Sequence, residues 1–249
     1  MTSGIPISGG PIAAETIADL AAASRILAER GVVDGFGHVS LRHTQAPERY
    51  LMARAIAPAL VTPDDIIEYD MDSNACNADG RGGFLERFIH SEIYKARPDI
   101  HSVVHSHSPS VIPFGLVGVK MGAMFHNAAF LAAGVPVFDI SEKFGATDML
   151  VSDPTKGVAL AETLGGKDIA LMRAHGSVAC GPTLQVAVFR AVYTEVSARV
   201  QHWTVALGGS GPIAALDEEE GRLADVPNQK AALRAWNLWR TQLRAQVDW

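Results

Sequence analysis

Cysteine is nearly absent from this 249-residue chain, with Cys76 and Cys180 the only two. Two thiols cannot build a disulfide framework, and a chain that is 48% hydrophobic does not need one, so the expected setting is a reducing cytoplasm. An excess of positive charge is also missing. Against 21 Lys and Arg stand 27 Asp and Glu, a formal net charge of -6, and no window gathers enough basic residues to follow a phosphate backbone. Nucleic acid is therefore not an expected partner. Long hydrophobic runs are lacking too. The greasiest stretch, from about Leu116 to Phe138, contains Lys120, His126, Asn127 and three glycines, which does not suit a lipid span. The amino terminus has no basic stretch leading into an apolar run with a cleavage site, so the reading is a soluble protein without a signal peptide.

What is present is a mixture of helical and strand periodicities with no repeat and no composition shift, which reads as one α/β domain over residues 1–249. Ile17, Leu20, Ala21, Ser24 and Leu27 form a helical stripe ended by Gly31. HVSLR, YLMAR and DDIIEYD then suggest strands, LERFIHSEIYKA a helix ended near Pro98, and HSVVHSH a further strand. VPVFDI is a short strand, KGVALAETLG a helix, KDIALMRAHGSVACG a pair of strands, and LQVAVFRAVYTEVSARVQHWTVAL a long helix. Residues 209–228 are polar and turn-rich, which predicts a linker or flap before a last helix striped by Leu233, Trp236, Trp239 and Leu243. Residues 111–117 and 121–133 fit either a tight helix or a packed loop.

The sharpest chemical signal is His105-Ser106-His107 at the end of an apolar strand. Residues i and i+2 leave one face of a strand, so two imidazoles can converge on one divalent ion, although a pair of packed histidines has the same pattern. His175 follows the apolar run IALMRA and precedes Gly176, where a strand end can aim a third imidazole or merely cap a turn. Glu86, at the start of the helix that leads into the HxH strand, can complete the metal shell, move a proton, or simply favour a helix N-terminus. It shares a helix face with His90. His38, Ser40 and Arg42 alternate along a strand after Gly35-Phe36-Gly37, presenting an imidazole, a hydroxyl and a guanidinium that could meet an anionic substrate or line a half-exposed strand. GxGxxG, GxSxG and a calcium loop are all absent, and Cys180 in VACG reads as core.

GHVSLR, LERFIHSEIYKARPDIHSVVHSHSP and LMRAHGSVACG together resemble the class II aldolase/adducin family over roughly residues 14–205. Within it the chain is similar to the aromatic decarboxylase branch, which includes hydroxypyridine-dicarboxylate and dihydroxyphthalate decarboxylases. Sugar-phosphate members usually read GNVS in the early motif, whereas His38 stands at that asparagine here. The resemblance implies a three-layer α/β/α sandwich around a mainly antiparallel sheet and a homo-oligomer, most often a tetramer. It also implies Zn²⁺ or Mn²⁺ on His105, His107 and His175, with Glu86 as a ligand of the resting metal or as acid/base, and no organic cofactor. The implied activity is non-oxidative decarboxylation of an ortho-hydroxy aromatic or hydroxypyridine carboxylate, with His38 or Arg42 orienting a second carboxylate. Retro-aldol cleavage of a hydroxy-ketone or sugar phosphate is the alternative, and a noncatalytic interaction domain is a third.

Overall fold

The computed structural model describes residues 5–208 and 212–244. Helix α1 (Ala14–Glu29) precedes three strands, β1 (His38–Arg42), β2 (Arg49–Ala53) and β3 (Ile66–Asp70). Helix α2 (Phe88–Ala96) and strand β4 (Ser102–Ser106) follow. Then come β5 (Val137–Phe138), α3 (Ile140–Phe144), α4 (Pro154–Leu164), β6 (Ile169–Met172), β7 (Gly176–Gly181), α5 (Leu184–Gly208) and α6 (Glu218–Arg244). The seven strands make one sheet in the order β3-β2-β1-β4-β7-β6-β5, antiparallel throughout except for β5 against β6.

Strand alternation explains the layers. Leu51, Val104 and Ala179 join Leu20, Ile26, Leu27 and Trp239 in a core beneath α1, α5 and α6. Their neighbours Met52, Val103, Val178 and Cys180 turn the other way, to Ile89, Ile93 and Leu160 of α2 and α4. A period of two thus feeds two cores from one sheet, and the result is a three-layer α/β/α sandwich. Helix starts follow side-chain chemistry: the Asp153 carboxylate accepts from the Lys156 N–H ahead of α4, whose first residue is Pro154. No helix among the described residues is long and apolar enough to cross a membrane.

Two expectations at the carboxyl end need correction. The segment read as a flap is helical from Glu218 onward and runs through Pro227, while its residues 209–211, like 245–249, lie outside the described set. Pro227 deletes one helical hydrogen bond, yet it is exposed, and Gly221, Asn228, Ala232, Trp236, Trp239 and Leu243 are buried at helical spacing along the same side. Packing outweighs the proline. The stripe itself runs through Ala232 rather than Leu233, which is 54% exposed. The two segments left open, 111–117 and 121–133, contain short 3-10 turns at Ile112–Gly115 and His126–Ala133.

Candidate metal centre

Four side chains from three separate stretches of chain meet at one end of the sheet. His105 is on β4 and His107 lies just beyond it, on the same face. His175 sits in the turn between β6 and β7, directly after Ala174, which adopts the left-handed φ of 54°. Glu86 occupies a 3-10 turn, Leu85–Arg87, immediately before α2. The candidate ligand atoms of Glu86, His105, His107 and His175 all lie within 4.8 Å of one another. His107 Nε2 is 3.2 Å from His105 Nε2 and 3.0 Å from His175 Nε2, and Glu86 Oε2 is 3.5 Å from both His105 Nε2 and His175 Nε2.

Backbone groups aim these atoms. His105 Nδ1–H donates to the Ser177 carbonyl at 3.2 Å and His175 Nδ1–H to the Met149 carbonyl at 3.0 Å, so each Nε2 keeps its lone pair for the centre. The Val151 N–H donates to Glu86 Oε1 at 3.0 Å, leaving Oε2 directed inward. Four electron-pair donors crowded together repel one another unless a cation lies between them. Three imidazoles and one carboxylate are a donor set suited to a first-row divalent ion, and the residues present fit one. Burial works against ionisation of Glu86, and positive charge held among the four donors, as a proton or a bound cation, outweighs it and keeps the carboxyl well below the usual carboxylate range. Burial, then the proximity of His105 and His175, lowers the His107 imidazole to about 4, so it stays neutral and able to ligate.

The centre opens on a cleft of about 440 Å³. Its walls are Gly35, Phe36, Gly37, Ala55, Ile56, Ala57, Gly83, Phe84, Leu85 and Leu150, with His38, Glu86 and His107 the titratable groups among them. No lysine or arginine is among these lining residues. Gly37 is required where it stands: φ is 92°, and a Cβ there would lie 2.6 Å from Val33 Cγ1 and 3.0 Å from the His105 carbonyl.

Of the three residues expected to meet substrate, only His38 reaches the cleft. Ser40 is fully buried, with Oγ 2.6 Å from both His90 Nδ1 and the Tyr94 hydroxyl. Arg42 donates to the carbonyls of Ile100, Pro47, Tyr94 and Arg97 and stacks over the Tyr94 ring. The expectation that Ser40 and Arg42 contact substrate is therefore corrected. All three do share a strand face, but that face runs away from the cleft under α2, and only its first residue reaches the opening. His90 and Tyr94 were missed as partners of this face. The signal was available in the i, i+4, i+8 spacing of Glu86, His90 and Tyr94, which places all three on one helical side.

Residues 18–202 match the family described as class II aldolase and adducin N-terminal domain. The chain is 34% identical to the decarboxylase tropJ of Talaromyces stipitatus, covering 86% of this chain and 88% of that one. It is 30% identical to a 3,4-dihydroxyphthalate decarboxylase of Arthrobacter keyseri, covering 92% and 94%. Among solved structures, an aldolase II superfamily protein from Pseudomonas syringae superposes with a TM-score of 0.79 at 20% identity, over 95% of both chains. With the family match spanning Glu86 and all three histidines of the cluster, the chain belongs to the class II aldolase and adducin family.

Proposed function

We propose that this protein is a metal-dependent carboxy-lyase that removes CO₂ from an ortho-hydroxy aromatic or hydroxypyridine carboxylate. The observation that carries the reading is the pairing of a four-donor cation site with an apolar cleft that offers no lysine or arginine. An aromatic ring suits walls such as Phe36, Phe84, Ile56 and Leu150, whereas a sugar phosphate would bring several charges and hydroxyls to surfaces with few partners for them. The decarboxylases among the relatives point the same way.

His105, His107, His175 and Glu86 would hold Mn²⁺ or Zn²⁺, which when bound supplies Lewis acidity to the developing oxyanion. The remaining chemistry belongs to the chain. The ionised Glu86 accepts the proton of the ring hydroxyl. Glu86 delivers that proton to the ring carbon that bears the carboxylate, making it tetrahedral; the bond from this carbon to the carboxylate then breaks, and its electron pair restores the aromatic ring and the oxyanion as CO₂ leaves. The apolar walls keep water from competing for that carbon and hold the ring so that the carboxylate departs out of its plane. We place this activity in the cytoplasm and in a homo-oligomer, with a tetramer favoured.

The test supplies metal-analysed protein with Mn²⁺ or Zn²⁺ and a panel of ortho-hydroxy aromatic mono- and dicarboxylates, following CO₂ and the decarboxylated ring. Metal-dependent CO₂ release that disappears in His107→Ala is expected. Aldehyde release from a hydroxy-ketone or sugar phosphate, with no CO₂ from the panel, would overturn the assignment in favour of an aldolase.

A further inference from the structure

Behind the cleft lies a row of buried polar groups that the proposed reaction does not use. His38 Nδ1 is 2.7 Å from His90 Nε2, His90 Nδ1 is 2.6 Å from Ser40 Oγ, and Ser40 Oγ is 2.6 Å from the Tyr94 hydroxyl. His90 and Ser40 are fully buried, Tyr94 is 1% exposed, and His38 is 6% exposed. The contacts are short, and each one needs a single proton between its two heavy atoms, so a ring nitrogen that accepts in the row is bare and its ring is neutral. Each link then carries one proton, and the whole row must point one way or the other.

The far end decides which way. Besides Ser40, the acceptor near the Tyr94 hydroxyl is the His101 carbonyl, 3.4 Å away. That carbonyl already accepts the Arg42 backbone N–H at 2.7 Å. The Tyr94 proton therefore goes into the 2.6 Å contact with Ser40. Ser40 must then donate to His90 Nδ1, His90 must carry its proton on Nε2 and give it to His38 Nδ1, and His38 must carry its own proton on Nε2. That nitrogen has no partner among the described residues and is not sealed from solvent, in a ring that lines the cleft.

We propose that His90, Ser40 and Tyr94 are positioning residues that lock His38 in the Nε2–H tautomer, so that His38 meets the substrate carboxylate as a neutral hydrogen-bond donor. This rests on the carboxylate-binding reading given above. It also identifies what holds an anionic group in a cleft without cationic side chains: a single oriented N–H beside the cation site, backed by a buried row that resists flipping. Neutrality matters, because a protonated imidazole beside His105 would oppose cation binding, whereas the neutral donor does not.

The experiment uses the full chain supplied with Zn²⁺ and labelled with ¹⁵N-histidine, with His38→Ala identifying the His38 signals. Two-bond ¹H–¹⁵N correlations are expected to show His38 protonated at Nε2 and bare at Nδ1. His90→Leu should mix the tautomers and weaken binding of 2-hydroxybenzoate about ten-fold or more, the scale of a hydrogen bond to a charged group. His90→Gln, whose amide can still donate to His38 Nδ1, should restore both the tautomer and the affinity, which a merely structural role for His90 would not require. If His90→Leu does not fold by circular dichroism, Ser40→Ala breaks the next link and carries the same expectation. A wild-type His38 protonated at Nδ1, or unaltered 2-hydroxybenzoate affinity once the tautomer has changed, would overturn the proposal. Neither readout involves turnover, so a failure of CO₂ release would count against the reaction and not against the row.

Discussion

Substituting Gly176 with alanine tests the geometry of the metal centre without touching a ligand. Gly176 opens β7 and sits one residue after His175, against the end of β4. A Cβ at this position would lie 2.0 Å from the Ser106 carbonyl oxygen, 3.0 Å from the Ser106 carbonyl carbon and 3.2 Å from His107 Cα. All three are backbone atoms, so no side chain can swing aside. One strand end must move by roughly 1 Å or more to reach ordinary van der Waals separation. Overpacking of this kind costs about 1–3 kcal/mol, and a backbone-on-backbone clash belongs at the upper end. At about 2–4 °C per kcal/mol for a domain of this size, Tm should fall by roughly 6–12 °C. The same movement separates His107 from His175, whose Nε2 atoms are 3.0 Å apart, so Zn²⁺ affinity should drop by about 10–100-fold. Zn²⁺ at 100 times its wild-type Kd stabilises by about 2.7 kcal/mol, and a 100-fold weaker site reduces this to about 0.4 kcal/mol. Urea denaturation with and without Zn²⁺, beside competition with a chromophoric chelator, measures both quantities. A Gly176→Ala protein with wild-type midpoint and Zn²⁺ Kd would refute the close approach of β4 and β7 on which the site depends.

Arg42→Lys separates a structural guanidinium from a substrate-binding one. Because Arg42 satisfies four carbonyls, the variant should lose about 2–4 kcal/mol in urea denaturation while the KM for any turned-over carboxylate stays near wild type. A raised KM at unchanged stability would reverse that conclusion. Trp239→Ala empties a site that is 5% exposed in the core beneath α6, and should cost about 3–5 kcal/mol by the same assay. A loss below about 1 kcal/mol would mean that α6 is not docked as described. Asp65 accepts from Arg54 Nε, the Thr62 N–H and the Thr62 hydroxyl; burial opposes its ionisation, but these bonds win and hold its carboxyl below the ordinary 3.8. A depressed acid contributes stability above its ordinary value and loses it as pH falls through the folded one. Asp65→Asn should therefore be less stable than wild type at about pH 6, and the gap should close toward about pH 3. A gap independent of pH would show that the charge of Asp65 is not what matters.

Strand and helix placement was readable because period-two and period-3.6 patterns are local. HVSLR, HSVVHSH and the stripe from Ile17 to Leu27 each carry their own burial pattern, and the structure puts β1, β4 and α1 there. The helix through Pro227 was not readable, since local propensity opposed it. What sustains it is contact with distant segments: Gly221 packs on Ala129 and Ala132, and Asn228 donates to the His126 carbonyl.

The four candidate ligands could be named from sequence because each motif advertises its chemistry: two imidazoles at i and i+2, a histidine at a strand end, a carboxylate at a helix start. Sequence spacing alone could not say that Glu86, His107 and His175, separated by tens of residues, meet within a few ångströms. Antiparallel registry decided that, by laying β4 between β1 and β7 and pairing His38 with His105 and Ser106 with Ser177. The same registry sent Ser40 and Arg42 under α2. Alternation along a strand specifies which face a side chain takes, and it holds no information about how far along that face the protein is open. Only the packing of α2 across β1 drew that boundary between His38 and Ser40, leaving one imidazole at the cleft and burying the groups that orient it.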